Sequence, residues 1–372
     1  RRVCCFLRSR RDRSGSVTIM AAPYSMTVLV SSSGIGYPGR VSTPAESVIR
    51  HRQIAVGDLS LHVAEAGSGP LVLLCHGFPE CWYSWRHQLV ALAAAGFHAV
   101  APDMRGYGRT DAPAAVEAYT ILHLVGDMVG LLDALGEKQA VVVGHDWGSV
   151  VAWNAALLRP DRFRAVVGMS VPFFPRLPIR PTTMMKAMAG ERFFYILYFQ
   201  EPGKAEAELD PRAREMMRGM LHTASGAVPR EHLRRMMELP KSAKFLDGML
   251  QPDTLPAWLD EADLDVYAAE FERTGFRGGL NWYRNFDRNW ELLAPFADLR
   301  VRVPALFVGG LRDAVVTGPE LAGEGPAVQM LGTFCDDLRG KVLLEGIGHW
   351  NQQEAPEQTN AALLDFLRSL DS

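Results

Sequence analysis

Residues 139–153 read QAVVVGHDWGSVVAW. Four apolar residues, Ala140 to Val143, run into Gly144-His145-Asp146-Trp147-Gly148, and small and apolar residues that suit a buried helix follow. A strand that turns sharply through Gly-x-x-x-Gly into a helix holds its central residue at the tip of the turn, where its side chain meets a substrate. Serine is the usual occupant of that tip. Here it is Asp146, and a carboxylate in the place of a hydroxyl asks for a different reaction.

The surrounding pattern says what kind of sheet carries this turn. RQIAVGDLSLHVAEAG (52–67) alternates across a hairpin turn at Gly57-Asp58, and LVLLCHG (71–77) is a continuous apolar run, as in a strand buried on both faces. WRHQLVALAAAG (85–96) has helical spacing and ends at Gly96. FHAVAPD (97–103) is a strand again, and YTILHLVGDMVGLLDALG (119–136) is an amphipathic helix stopped by Gly136. After the elbow comes the strand FRAVVGMSVP (163–172). Strands alternating with helices predict a mostly parallel, doubly wound sheet.

The alternation stops near Phe174. Through Leu292 the chain is rich in Met, Arg and Glu and lacks buried-strand runs; the rhythm then resumes at VPALFVGG (303–310), KVLLEG (341–346) and NAALLDFLRSL (360–370). The expected organisation is a core of residues 49–173 and 293–372, with a helical cap of residues 174–292 inserted after the sixth strand. An insertion there would lie over the C-terminal ends of the strands as a lid. Its methionines Met184, Met185, Met188, Met216, Met217 and Met220 suit helix packing better than a substrate lining.

Composition narrows the function. The 372 residues, 48% of them hydrophobic, can bury a large core, and 39 basic against 42 acidic residues give a net charge of −3. That balance gives no pull toward nucleic acid, and no apolar run reaches the roughly 18 residues of a membrane span. Cys4, Cys5, Cys75, Cys81 and Cys335 stand in no metal-ligand spacing. Free thiols in a reducing cytoplasm are the expectation. A homodimer is one assembly left open.

The first 48 residues differ from the rest. RRVCCFLRSRRDRSGS is rich in Arg and Ser with one acid, Asp12, as in a transit peptide. Its apolar positions form no helical stripe, so a disordered tail, or upstream codons before a start at Met20 or Met26, is the favoured reading. The same segment holds Gly34, Gly36 and Gly39 in dinucleotide-binding spacing, with Asp58 downstream as the ribose acid. Such a site needs a helix to begin at the glycines, and Pro38 and Pro44 stand against one. No cofactor is expected.

Two further segments converge on Asp146. GGLRDAVV puts Asp313 just after a strand, and LLEGIGHWNQQ puts His349 in the loop after the last strand. Alone, Asp313 reads as a helix N-cap, His349 as a loop histidine and Asp146 as a turn residue. Together, all three follow strands at the edge where open α/β sheets bind ligands, in the order nucleophile, acid, histidine of the α/β-hydrolase fold.

From about residue 50 onward the chain resembles the soluble epoxide hydrolases of that fold. The resemblance rests on HGFPECWYSWRHQL, PDMRGYGRTDAP, GHDWGS, YILYFQEPGKAEAELD, GFRGGLNWYRNFDRNW and GIGHWNQQEAPE. It implies that Tyr195 and Tyr283 are the epoxide-binding pair and that the backbone N–H groups of Phe78 and Trp147 form an oxyanion hole. It places Glu80 near the hydrolytic water, although a surface-loop role fits Glu80 equally well, and it implies a cis bond before Pro79. Tyr198 reads as packing. Cys81 and Thr110 depart from residues that are commonly Ser, and GLRD is a less charged approach to Asp313 than usual.

Chemistry agrees with the carboxylate. An epoxide offers an sp³ carbon and no carbonyl, so attack is a displacement, and attack by a carboxylate leaves an ester that water can cleave. Asp146 would be the nucleophile, His349 the base for water, and Asp313 the group that orients His349. Tyrosine phenols, with a reference pKa of about 10, could donate to the alkoxide. Two rivals remain at this stage. A haloalkane or haloacid dehalogenase of the same fold also uses Asp and could use Trp147 to hold halide; a non-catalytic binding member would be expected to lack part of the triad. The expected partner is a small-molecule epoxide.

Overall fold

The structure is a computed structural model that describes residues 48–318 and 321–370, together with the backbone of residues 9–11, 17–21 and 24–28. Eight strands form the main sheet: β1 (Arg50–Val56), β2 (Leu59–Ala66), β3 (Leu71–Cys75), β4 (His98–Pro102), β5 (Ala140–His145), β6 (Phe163–Met169), β7 (Ala305–Gly310) and β8 (Leu338–Leu344). Their spatial order is β8-β7-β6-β5-β3-β4-β2-β1. β1 and β2 form an antiparallel hairpin and β2 runs antiparallel to β4, while the remaining neighbours are parallel. Gly57-Asp58 is the two-residue hairpin turn, with Gly57 at φ 56. Asp58 therefore closes a turn, and Gly34, Gly36 and Gly39 lie outside the described residues.

The sheet is buried where the sequence is continuously apolar. Every residue of β3, β5 and β7 is buried, which is what a parallel strand with helices on both faces requires. The edge strand β8 buries only Leu344. Helices α1 (Arg86–Ala94), α2 (Ile121–Leu135) and α3 (Trp147–Leu158) make the crossovers, and Gly136 ends α2 in the left-handed conformation, φ 75. Chain order reverses at β3: β4 lies to one side of it and β5 to the other. The crevice between the C-terminal ends of β3 and β5 is thus the switch point at which open sheets of this kind bind ligands.

Between β6 and β7 the chain is helical: α4 (Pro181–Ala189), α5 (Tyr195–Tyr198), α6 (Lys204–Leu209), α7 (Ala213–Thr223), α8 (Arg230–Met237), α9 (Glu261–Thr274), α10 (Arg277–Arg284) and α11 (Phe286–Leu292). Met216 and Met217 are fully buried beside Leu221, Leu264 and Tyr267, whereas Met188 is 65% exposed. After β7 come α12 (Ala314–Thr317), α13 (Pro326–Gln329), α14 (Asn351–Glu354) and α15 (Pro356–Ser369). No helix among the described residues is long and apolar enough to cross a membrane.

Ahead of the main sheet, Ser9–Arg11, Val17–Ala21 and Tyr24–Val28 pair as three short antiparallel strands. This differs from the expected absence of regular structure. The β-branched residues Val17, Thr18, Ile19, Thr27 and Val28 favour pleated backbone.

The cap meets the core through buried polar contacts and close backbone packing. Tyr83 Oη donates to Asp263 Oδ1 at 2.6 Å, and Trp282 Nε1 donates to the Arg105 carbonyl at 3.1 Å. A Cβ on Gly278 would stand 1.9 Å from the Gly106 carbonyl oxygen. Gly278→Ala should therefore force α10 off the core and destabilise the protein by about 1–3 kcal/mol, the usual range for overpacking. Urea midpoints measure this; an unchanged midpoint would show that the cap rides free of that contact.

Candidate active site

Asp146 sits at φ 54, ψ −121, between β5 and α3, in a region that residues with a Cβ seldom occupy. The turn is that sharp because its backbone is in contact on both sides. A Cβ on Gly144 would lie 2.0 Å from the Gly148 carbonyl oxygen, and one on Gly148 would lie 2.0 Å from that of Cys75. Across the crevice, a Cβ on Gly77 would stand 2.3 Å from Asp146 Oδ1. With glycine there, the Asp146 carboxylate reaches the loop after β3, and Oδ1 accepts from the Phe78 N–H at 2.8 Å. The Phe78–Pro79 bond is cis. Trp147 begins α3, so its N–H is one of the unpaired donors of that helix's first turn.

His349 comes from the loop after β8. Its Nδ1 donates to Asp313 Oδ2 at 2.9 Å, and its Nε2 lies 3.4 Å from Asp146 Oδ2. Asp313 is also the N-cap of α12, its Oδ1 accepting from the Val315 N–H at 2.9 Å, so the structural and the functional readings of Asp313 coexist. Burial disfavours the imidazolium of His349, but the Asp313 and Asp146 carboxylates outweigh it and raise its pKa well above the ordinary value.

Tyr195 comes from α5 and Tyr283 from α10, with ring centroids 6.0 Å apart. Tyr283 packs edge-on to Trp147 at 5.2 Å and to Phe78 at 5.4 Å, and Phe286 lies 5.1 Å from Trp147. Burial, followed by the negative charge of Asp146, raises the pKa of both phenols. Both therefore keep their protons and remain donors at neutral pH. Tyr198 faces elsewhere, its hydroxyl donating to Glu208 at 2.7 Å.

Glu80, read equally as a surface-loop residue, is fully buried. Its Oε2 accepts from the Gly77 N–H at 2.9 Å and from His145 Nδ1 at 2.7 Å, and its Oε1 accepts from Gln352 Nε2 at 2.9 Å. His145 Nε2 in turn faces the His349 carbonyl at 2.7 Å. Both His145 nitrogens thus face oxygen atoms. Nothing local in the sequence marks this pair, because Glu80 and His145 are 65 positions apart and meet only through the pairing of β3 with β5.

Comparison with known proteins gives the family. Residues 70–317 match the family model for the alpha/beta hydrolase fold. "Epoxide hydrolase A" of Mycobacterium tuberculosis is 48% identical, over 86% of this chain and 98% of that protein. "Epoxide hydrolase 3" of Siraitia grosvenorii is 42% identical over the same shares. The chain belongs to the epoxide hydrolase family. Among solved structures, Epoxide Hydrolase A from Mycobacterium thermoresistibile superposes with a TM-score of 0.80 at 49% identity, covering 86% of this chain and 98% of that one. An epoxide hydrolase from an endophytic Streptomyces gives 0.83 at 46% identity, covering 87% and 96%.

The buried carboxylates of this epoxide hydrolase make its stability depend on acid. Burial works against the Glu80 charge, but His145 and the Gly77 N–H lower its pKa to about 2. Asp103, held by His62 and the Trp82 and Arg109 N–H groups, is likewise lowered to about 2 against its burial. A carboxylate with a lowered folded-state pKa adds stability that is present above its unfolded value of about 4 and lost as pH falls through the folded one. Wild type should therefore lose thermal stability between about pH 4 and pH 2. Glu80→Gln should cost about 3–5 kcal/mol at pH 7 and lose less than wild type over the acid window. Melting curves taken from pH 7 to 2 check this, and parallel curves for the two proteins would refute it.

Proposed function

We propose that the chain hydrolyses epoxides to vicinal diols through a covalent ester on Asp146. The observation that carries this reading is His349, held between two carboxylates at 2.9 and 3.4 Å, one of which lies at the elbow. Asp146 Oδ1 is bound by the Phe78 N–H, so Oδ2, which faces His349 Nε2, is the oxygen that attacks the epoxide carbon. The C–O bond of the ring breaks, and the alkoxide takes a proton from the Tyr195–Tyr283 pair.

The ester then presents its carbonyl oxygen at the Oδ1 position. Water loses a proton to His349 Nε2 and attacks the Asp146 carbonyl carbon. The oxyanion forms against the N–H groups of Phe78 and Trp147, where each such donor contributes on the order of 10²–10³ in rate. Collapse breaks the Cγ–Oδ2 bond: the diol leaves with Oδ2 as its second hydroxyl, protonated by the remaining hydrogen of the water, and the oxygen of the water stays in the Asp146 carboxylate.

The charge on His349 suits this order of events. In the free enzyme two carboxylates hold its proton. Alkylation turns Asp146 into a neutral ester and removes one of those charges, so the imidazolium passes its proton to the phenolate left by ring opening and stands as a neutral base. The proton it then takes from water restores the starting state. Cytoplasmic placement goes with this reading on the three buried free thiols Cys75, Cys81 and Cys335. The rival readings, a haloalkane or haloacid dehalogenase and a non-catalytic binding protein, have no counterpart among the relatives named above.

His349→Gln should let the first half-reaction run and block the second. Incubated with an epoxide such as styrene oxide, it should gain a mass equal to the whole epoxide on the peptide carrying Gly144 to Gly148. In wild type turning over in labelled water, the label should enter the Asp146 carboxylate. Label passing straight into the diol with Asp146 unlabelled would remove the covalent mechanism.

The tyrosines are tested in the first half-reaction. Tyr195→Phe and Tyr283→Phe should each slow ester formation by about tenfold or more, and the double variant should nearly stop it, because general-acid donation contributes about 10²–10⁴ in all. Rapid-quench measurement of the ester reads this directly. Ester formation at the wild-type rate in the double variant would assign the proton to another donor.

A further inference from the structure

The loop carrying His349 is fastened to the cap by one side chain that the mechanism above does not use. Glu354 closes α14, five residues after His349. Its Oε2 accepts from the Gly348 N–H at 3.1 Å and from the Gly226 N–H at 2.8 Å, and its Oε1 accepts from the Trp350 N–H at 3.0 Å. One carboxylate thus holds the peptides on both sides of His349 and, with the same oxygen, the cap turn that follows α7. The His349 N–H itself donates to the Ala224 carbonyl of that turn at 2.8 Å, and Trp350 Nε1 donates to the Leu221 carbonyl at 2.9 Å.

The two backbones lie in direct contact. A Cβ on Gly226 would stand 2.0 Å from the Gly346 carbonyl oxygen, and one on Gly348 would stand 2.3 Å from the Gly226 nitrogen. The opposite end of the His349 peptide is gripped by the core, its carbonyl accepting from His145 Nε2 and from Ser170 Oγ, each at 2.7 Å. The direction of the imidazole is therefore set by a peptide clamped to the cap on one side and to the sheet on the other.

We infer that Glu354 is a positioning residue for the hydrolytic half-reaction, which pins the His349 loop to the Ala224–Gly226 turn of the cap and so aims Nε2 at the attacking water. This rests on the covalent reading above. Ester formation needs Asp146 Oδ2, the Phe78 N–H and the two phenols, none of which Glu354 touches. Ester hydrolysis needs His349 within hydrogen-bond reach of a water, where a misplacement of about 1 Å can cost roughly 10²-fold. A glutamine cannot take over the role of the carboxylate. It has one acceptor oxygen for three N–H groups, and its amide would point a donor at a donor.

The experiment follows ester formation and ester decay separately, by rapid quench and protein mass spectrometry with styrene oxide, in wild type and Glu354→Gln. The expected result is ester formation within about twofold of wild type and decay slowed roughly ten- to a hundredfold, so that the ester accumulates. A merely structural role would slow both steps together with a fall in melting temperature, and that result, or unchanged decay in a folded variant, overturns the inference. If Glu354→Gln does not fold, Glu354→Asp decides, since it keeps the carboxylate and draws it back from the Gly226, Gly348 and Trp350 N–H groups. Selective slowing of decay supports the pinned loop, and unchanged decay overturns it. His349→Gln is run beside them. Where it traps no ester, the covalent reading has failed and this role for Glu354 falls with it; where it traps ester, the Glu354 result stands on its own.

Discussion

Gly148 lies so close to the end of β3 that a methyl group on it would meet the Cys75 carbonyl oxygen at 2.0 Å. That contact brings the first turn of α3 against the neighbouring strand and makes the turn before it too tight for ordinary backbone. Asp146 absorbs the strain at φ 54, in a conformation that costs of order 1–3 kcal/mol unless its surroundings fix it. Here they do. The same squeeze carries the carboxylate across the crevice to the Phe78 N–H. The switch point supplies the place, and the contact of helix with strand supplies the aim. His349, the tyrosines and the cap are all arranged around a carboxylate whose position the backbone has already decided.

The second constraint is charge. Three carboxylates lie under the crevice, each with a histidine: Glu80 with His145, Asp103 with His62, and Asp313 with His349. Burial opposes every one of these charges, so each carboxylate survives only with its partner and its donors in place. Glu80 and Asp103 are closed off, with backbone or amide donors on their remaining lone pairs. What separates the Asp313–His349 pair from the other two is one imidazole nitrogen, Nε2, left facing the Asp146 carboxylate.

Much of this could be read from the chain. β3 and β5 showed as continuous apolar runs because strands covered on both faces have no polar side to show, and Gly57-Asp58 and Gly136 marked a turn and a helix end through the conformations they adopt. The place of the cap was legible because strand runs cease at Phe174 and resume at Val303. β8 was only half visible: it begins at Leu338, in a stretch of an edge strand that stays largely uncovered. Glu80 could not be assigned from sequence, since its burial depends on His145 and Gln352, which the fold brings from far along the chain. Nothing in the sequence marks Glu354, because its three partners are backbone N–H groups and carry no side-chain signature.

The two half-reactions proposed above draw on the cap in different ways. The tyrosines hang from α5 and α10, whose seat on the core depends on the contact of Gly106 with Gly278 and on the Trp282 indole bonded to the Arg105 carbonyl. The base belongs to the core by sequence, yet its N–H is bonded to the Ala224 carbonyl of the cap. Donor and base therefore share one frame although they come from different layers. A cap displaced by 1 Å would carry the phenols away from the alkoxide and pull on the His349 peptide at the same time, while Asp146, locked by the elbow, stayed where it was. The proposed nucleophile is the part of this site that the sheet alone secures; the proton transfers proposed on either side of its ester depend on the cap.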